Sequence, residues 1–419
     1  MNAKSTEGVK RGDTKVRGFE DPEMDFQLLR GLGAANYGGG APGEVLNAAA
    51  QVLARMEEGE SPAQAWTQAF SEFAEHAETL GQQALKQGHR ISARDHLLRA
   101  SMYYRSAEYY CDPYTPAHRR WGLASREAFV LGASLLDTPM QVVQIPYKQA
   151  WIPAYFFTPA ADADGSAARK TLLVNTGFDG SSEELYFTAG RAALERGYNV
   201  LVIDGPGQTG MTRLHPQLKF RPDWEVPIKA VLDWLCAQPG VDTQRIALYG
   251  ISLGGYFATR AACHESRIGA LIVNSPIVDL KAYQLGFFPP GMADDPPELK
   301  LEWFERLSRS ELPDHLRALL KIAFFRFGVE SLHGWLHMLD GFQTGKDLRN
   351  IRIPCLSMLG ASEGGEPLKQ AQYFREHVGG PVHEHVFSAK EGADAHCQMA
   401  NLPMSAAVLF DWLDGVFKG

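Results

Sequence analysis

Cysteine is scarce in this chain. The 419 residues hold five (Cys111, Cys236, Cys263, Cys355 and Cys397), an odd number, far apart and with no C-x-x-C pair, which argues against a disulfide framework or a zinc scaffold. Long apolar runs are missing as well: no stretch of about 18 uninterrupted apolar residues occurs, so no membrane-spanning helix is expected. Residues 1–18 carry Lys4, Lys10, Arg11, Lys15 and Arg17, but no apolar segment follows them as a secretory leader requires. A cytoplasmic location is the expectation. Basic residues are not in excess either, with 41 Lys and Arg against 49 Asp and Glu and a net charge of -8. That balance advertises no face for a nucleic-acid backbone. Neither H-E-x-x-H nor another compact ligand spacing is present, and no phosphate loop or dinucleotide fingerprint follows the first strand, so a reaction without metal or cofactor is expected.

What is present reads as an ordinary folded protein, 45% hydrophobic and 21% charged. From Asp21 to about Asp137 the pattern is helical: Val45, Ala49, Val52 and Met56 recur at the spacing of one buried face. Glycine and proline, at Gly38 to Pro42, Gly59 to Pro62, Gly88 and Asp112-Pro113, divide this region into four or five helices. Tyr103, Tyr104, Tyr109 and Tyr110 make one stretch dense in aromatics, for which packing between helices is favoured over ligand contact. Beyond Pro139 the character changes. Val142, Val143 and Ile145, then residues 151–157, read as two extended segments joined by a short turn. Apolar β-rich runs at 171–175, 200–203, 246–249, 270–273, 355–359 and 382–387 then alternate with helical stretches. Alternation of that kind predicts a mostly parallel, doubly wound sheet with helices on both faces. Between Asp279 and Ile351 lies an insertion without strand signal, containing Phe287-Phe288-Pro289-Pro290 and a helical run around residues 301–335. It is placed to cover the carboxyl ends of the strands, where open α/β sheets bind ligands.

Gly250-Ile251-Ser252-Leu253-Gly254-Gly255 matches G-x-S-x-G between an apolar strand and a helical segment at 256–263. The tight turn tolerates no bulky flanking residues, hence Gly250 and Gly254, and pushes Ser252 out as a nucleophile. An oxyanion needs two amides. Leu253, next after the serine, supplies one; the other is expected from Phe178 in Gly177-Phe178-Asp179-Gly180, where glycines permit the backbone turn. Asp204-Gly205-Pro206-Gly207 reads as a further tight turn near the site. The base belongs late in the chain, after the last strand, which singles out His396 ahead of a terminal helix at 403–417. His383 and His385 lie inside that strand. For the acid, the loop after 355–359 contains no aspartate, so Glu363 is the choice, with Asp279 as the alternative; Asp394 is too near His396 in sequence.

These motifs, together with Ser92-Ala93-Arg94, Glu183-Glu184, Glu363-Gly364 and Ala395-His396-Cys397-Gln398, resemble the branch of α/β-hydrolases that contains 2,6-dihydroxypseudooxynicotine hydrolase and the fungal polyketide-shortening hydrolases of melanin biosynthesis. The resemblance implies an α/β-hydrolase fold with an all-helical N-terminal domain (1–137, cap and dimerisation) and a catalytic domain (138–419) carrying a helical cap insertion at about 280–350. It also implies a Ser252–His396–Glu363 triad and hydrolysis of a carbon-carbon bond next to a carbonyl in an aryl β-diketone or polyketide-like small molecule. A homodimer through the helical region belongs to the same implication. Ester or thioester hydrolysis and acyl transfer use the same machinery and stay open, as does a binding or regulatory module whose serine is idle.

Overall fold

The computed structural model of the protein describes residues 8–160, 168–288, 298–304, 306–308 and 310–418. Five helices come first: α1 (Pro22–Ala34), α2 (Pro42–Glu57), α3 (Pro62–Lys86), α4 (Arg90–Tyr110) and α5 (Pro116–Ala133). All but α4 begin on proline, whose missing N–H is no loss in a first helical turn. Asp21 caps α1 by accepting the amides of Glu23 and Met24. Val45, Ala49 and Val52 are buried, as their spacing predicts, in a small core around the stacked rings of Trp66 and Phe70. Tyr103 and Tyr104 join that core, in keeping with the packing reading. Tyr109 departs from it, with its hydroxyl on Glu23 at 2.7 Å.

The chain then builds the sheet. A hairpin of β1 (Met140–Tyr147) and β2 (Ala150–Phe157) leads to β3 (Arg169–Asn175), α6 (Ser182–Leu185), a π-helical turn (Tyr186–Gly190), α7 (Arg191–Glu195) and β4 (Asn199–Ile203). Next come α8 (Thr209–Leu214), α9 (Glu225–Leu235), β5 (Val241–Ile251), α10 (Gly254–Ala262) and β6 (Ala270–Asn274). The insertion follows as α11 (Leu280–Leu285), α12 (Leu301–Phe304), α13 (Asp314–Phe327) and α14 (Leu332–Leu339), and the chain closes with β7 (Cys355–Gly360), α15 (Gly365–His377), β8 (Val382–Phe387) and α16 (Leu402–Val416). The eight strands lie in the order β1-β2-β4-β3-β5-β6-β7-β8. Pairing is antiparallel at β1–β2 and β2–β4 and parallel elsewhere.

Side-chain alternation explains why the strands read as continuous apolar runs. Leu173, Leu201, Leu248 and Leu271 enter the core shared with α9, α10 and the insertion, while Leu172, Val200, Ala247 and Ile272 enter the core on the other face, against α16. Two details differ from expectation. β5 starts at Val241 rather than 246, because the polar residues Asp242 to Arg245 extend it without an apolar signal. The helical run around 301–335 is broken: Gly328, at φ 69°, ends α13, and Ser331 caps α14 through the amide of Gly334. Pro289 and Pro290, and Lys4 at the start of the chain, lie outside the described residues. Among the described residues no helix is long and apolar enough to cross a membrane.

Candidate active site

Ser252 stands between β5 and α10 with φ 58°, a conformation that crowds an L side chain against its own backbone. The turn is closed by the Gly255 amide on the Ser252 carbonyl at 2.8 Å, and the Ser252 amide donates to the Asn274 carbonyl at the end of β6, at 2.5 Å. Space dictates the flanking glycines. A Cβ on Gly250 would lie 2.0 Å from the Gly254 carbonyl oxygen, and one on Gly254 would lie 2.5 Å from that of Asn175.

His396 comes from the turn between β8 and α16. Its Nε2 is 2.9 Å from Ser252 Oγ and its Nδ1 is 2.6 Å from Glu363 Oε2. Glu363 is fully buried after β7; its Oε1 accepts the Gly360 amide at 2.7 Å and its Oε2 also accepts the Ser275 hydroxyl at 2.9 Å. A carboxylate only accepts, so in the neutral imidazole Nδ1 carries the proton and Nε2 turns its lone pair toward the serine. Burial pushes the imidazole pKa down, but Cys397 and Glu363 beside it outweigh burial and raise it to about 10. Asp279 does not reach this group. Its carboxylate caps α11 by accepting the Ala282 amide at 3.0 Å, so geometry sets it aside as the acid. Asp394 is likewise engaged elsewhere, by Ser362 at 2.6 Å and by Thr14. His385 pairs with Glu391.

The Gly177-Phe178-Asp179-Gly180 loop runs beside the elbow for a reason other than the one the sequence suggests. Neither Gly177 nor Gly180 has a positive φ. Both are glycine for want of room: a Cβ on Gly177 would sit 2.8 Å from the Leu253 amide nitrogen and from Ser252 Cβ, and one on Gly180 would sit 2.1 Å from Thr176 Oγ1. Among the described residues neither the Leu253 nor the Phe178 amide has an acceptor within the protein. The turn after β4 supports the loop from behind, since Gln208 Nε2 donates to the Thr176 carbonyl at 2.5 Å while its Oε1 accepts the Gly205 amide at 2.6 Å.

Two features were not legible in the sequence. First, the N-terminal segment lies across the site. The Lys10 amide donates to the Glu363 carbonyl at 2.6 Å, the Arg11 carbonyl accepts the His396 amide at 2.9 Å, and the Asp13 amide donates to Ser362 Oγ at 2.9 Å. Arg11 thereby reaches the pocket that holds Ser252 and His396, whose other walls include Phe26, Asp179 and Met399. Second, a network of buried ions joins the N-terminal helices to the sheet. Arg30 binds Glu184 through two hydrogen bonds of 2.5 Å and Asp179 at 3.2 Å; Arg213 takes both oxygens of Glu108, at 2.8 and 2.5 Å, and Glu183 at 3.0 Å. Burial would raise the Asp179 pKa, but Arg30, Arg11 and Arg105 hold it well below the usual carboxylate range. The one sequence signal for this network was the adjacent pair Glu183-Glu184 so close to the glycine-rich loop. Among the described residues no group of three His, Cys, Asp or Glu side chains is placed to hold a metal ion.

The alpha/beta hydrolase family model matches residues 171–397. The chain is 29% identical over 436 residues to the hydrolase LUC6 of Fusarium sp, covering 95% of this chain and 97% of that protein. It is 35% identical over 269 residues to the 20-hydroxy-prefusarin hydrolase FUS2 of Gibberella moniliformis, covering 62% of each. The solved structure of a 2,6-dihydroxy-pseudo-oxynicotine hydrolase superposes with a TM-score of 0.68 at 19% identity, over 92% of this chain and 96% of that one, which is a likeness of fold.

Proposed function

The chain belongs to the α/β-hydrolase family and is a hydrolase, and from that premise we propose that Ser252, His396 and Glu363 form its catalytic triad and that it hydrolyses a carbon-carbon bond next to a carbonyl. The observation that carries the triad is the unbroken run of hydrogen bonds from Ser252 Oγ through both His396 nitrogens to Glu363, at 2.9 and 2.6 Å. Ser252 Oγ adds to a ketone carbon while its proton passes to His396 Nε2. The alkoxide rests on the Leu253 and Phe178 amides, whose N–H groups are free to receive it. Collapse re-forms the carbonyl as a seryl ester and expels the other fragment as a resonance-stabilised enolate, which takes the proton from His396. Water, deprotonated by the same imidazole, then releases the acyl group and restores the serine.

The substrate class is an aryl β-diketone or a polyketide-like small molecule. The relative named for 20-hydroxy-prefusarin and the aromatic wall of Phe26 beside His396, ring centroids 6.3 Å apart, support it. A homodimer through the N-terminal helices and a cytoplasmic location are part of the same proposal; light scattering that finds a single monomeric species would remove the dimer. Ester or thioester hydrolysis is the second reading, favoured by the fact that nothing in the relay itself requires a carbanion to leave.

The deciding experiment is product analysis by mass spectrometry with wild type and Ser252→Ala, on an aryl β-diketone and a matched aryl ester. Serine-dependent cleavage of the diketone is expected. Cleavage of the ester alone would reject the carbon-carbon assignment. Failure of a fluorophosphonate probe to label Ser252 would favour an idle binding module instead.

A further inference from the structure

A second recess shares Asp179 with the pocket that holds Ser252 and His396; Arg105, Glu108, His118, Thr209 and Arg326 line it as well. Two arginines, Arg105 and Arg326, and two carboxylates, Glu108 and Asp179, face it, but they are not hydrogen-bonded to one another through their side chains. Both carboxylates in its wall are engaged by arginines that do not line it: Glu108 by Arg213, at 2.8 and 2.5 Å, and Asp179 by Arg30 at 3.2 Å and Arg11 at 3.7 Å. The two arginines that do line it are left with less. Arg105 donates to the Asp179 carbonyl at 3.1 Å and to Gln27 Oε1 at 3.3 Å, and stands 3.6 Å from Glu184, whose oxygens already take Arg30.

Arg326, in α13 of the insertion, is poorer still. It is 4% exposed, donates only to the Gly207 carbonyl at 2.8 Å and to Thr209 Oγ1 at 2.9 Å, and its Nε has no acceptor. Among the described residues no carboxylate lies within ion-pair distance of it. A buried guanidinium with neutral partners and an idle donor is costly unless an anion completes it. The recess lies close to the chemistry, because the Arg326 guanidinium is 5.8 Å from the ring centroid of Phe178, the residue whose amide is the proposed oxyanion donor. Ile322 and Phe325 add apolar wall, which suits an organic acid more than a bare inorganic ion.

We propose that the recess between Arg105 and Arg326 binds the carboxylate end of an elongated aryl keto acid whose reacting carbonyl lies at Ser252. This rests on the hydrolase reading of Ser252, and it adds a second fixed point, so that the substrate is held by its acidic end while its ketone meets the nucleophile.

Isothermal titration of the full chain carrying Ser252→Ala with benzoylbutyrate and with its neutral primary amide tests it. The acid should bind about tenfold more tightly than the amide, the worth of one charge-assisted hydrogen bond. Adding Arg326→Gln should abolish the difference. Equal binding of acid and amide before that change, or a preference that survives it, would overturn the proposal. Should Arg326→Gln fail to fold, Arg105→Gln and competition by acetate give the same decision: Arg105→Gln must reduce the preference for the acid and acetate must weaken binding of the acid, and no effect of either overturns the site. Fluorophosphonate labelling of the wild type is read separately. Loss of labelling with the preference intact sinks the hydrolase reading and spares the recess; labelling without the preference does the reverse.

Discussion

The backbone carbonyl of Arg11 accepts the amide of His396 at 2.9 Å. One residue earlier, the Lys10 amide reaches the Glu363 carbonyl at 2.6 Å, so a single extended segment joins the loops of the proposed base and acid. Gly364, at φ 108°, is where this contact is tightest, since a Cβ there would stand 2.3 Å from the Gly8 carbonyl oxygen.

Lys10→Pro removes the donor to Glu363 without touching a side chain of the site. Labelling of Ser252 by a fluorophosphonate should slow by about fivefold, the equivalent of a bond worth about 1 kcal/mol, and removal of residues 1–14 should slow it further. Unchanged rates in both, with the helical content retained by circular dichroism, would show that the segment does not position the relay.

Glu363→Gln keeps the shape of the acid and loses its charge. Cys397 and Glu363 hold the His396 pKa above its ordinary value, up to about 10, and the imidazole accepts the serine proton only when neutral. Labelling by wild type should therefore rise with pH from above 6.5, the ordinary histidine value, toward 10. In Glu363→Gln that rise should move to lower pH, and the plateau rate should fall by about 10³ to 10⁴, as expected when the base loses its orienting carboxylate. A rise that stays where it was would mean that Glu363 does not govern the imidazole.

Gly177→Ala and Gly43→Ala form a matched pair. The first places a methyl 2.8 Å from the Leu253 amide nitrogen, whereas nothing lies within 4 Å of a Cβ on Gly43 in α2. Gly177→Ala should lower the hydrolytic rate by at least about 10² through loss of an oxyanion donor. Gly43→Ala should leave the rate unchanged and stabilise the fold by up to about 1 kcal/mol. Equal activity of the two variants would remove the Leu253 amide from the mechanism.

Arg213→Ala would leave the carboxylates of Glu108 and Glu183 without their guanidinium inside the protein, where both are buried. Breaking such a group costs about 3–5 kcal/mol. Urea denaturation should show a loss of that size; a loss under about 1 kcal/mol would mean that water reaches the cluster and that surface-pair energetics apply.

By itself the sequence determined whatever is local in its physics. Runs of apolar residues announced β3 to β8 within a few positions, and G-x-S-x-G between strand and helix identified Ser252, because a turn that tight excludes side chains whatever surrounds it. The late position of His396 and the position of Glu363 after β7 followed from the order of elements. Tertiary structure alone decided the rest. Glu363 was separated from Asp279 by which carboxyl group reaches Nδ1, a distance that no spacing encodes. Gly177 and Gly180 answer to neighbours distant in sequence, not to their own dihedral angles. Nothing in the Gly8 to Thr14 segment told that it crosses the site, since its bonds to the loops of Glu363 and His396 are made by its backbone and leave no mark on side-chain identity. The order of residues does not mark the buried arginines, and only the packing of α1, α4 and α13 against the sheet reveals that they are paired inside, or, at Arg326, held by neutral acceptors.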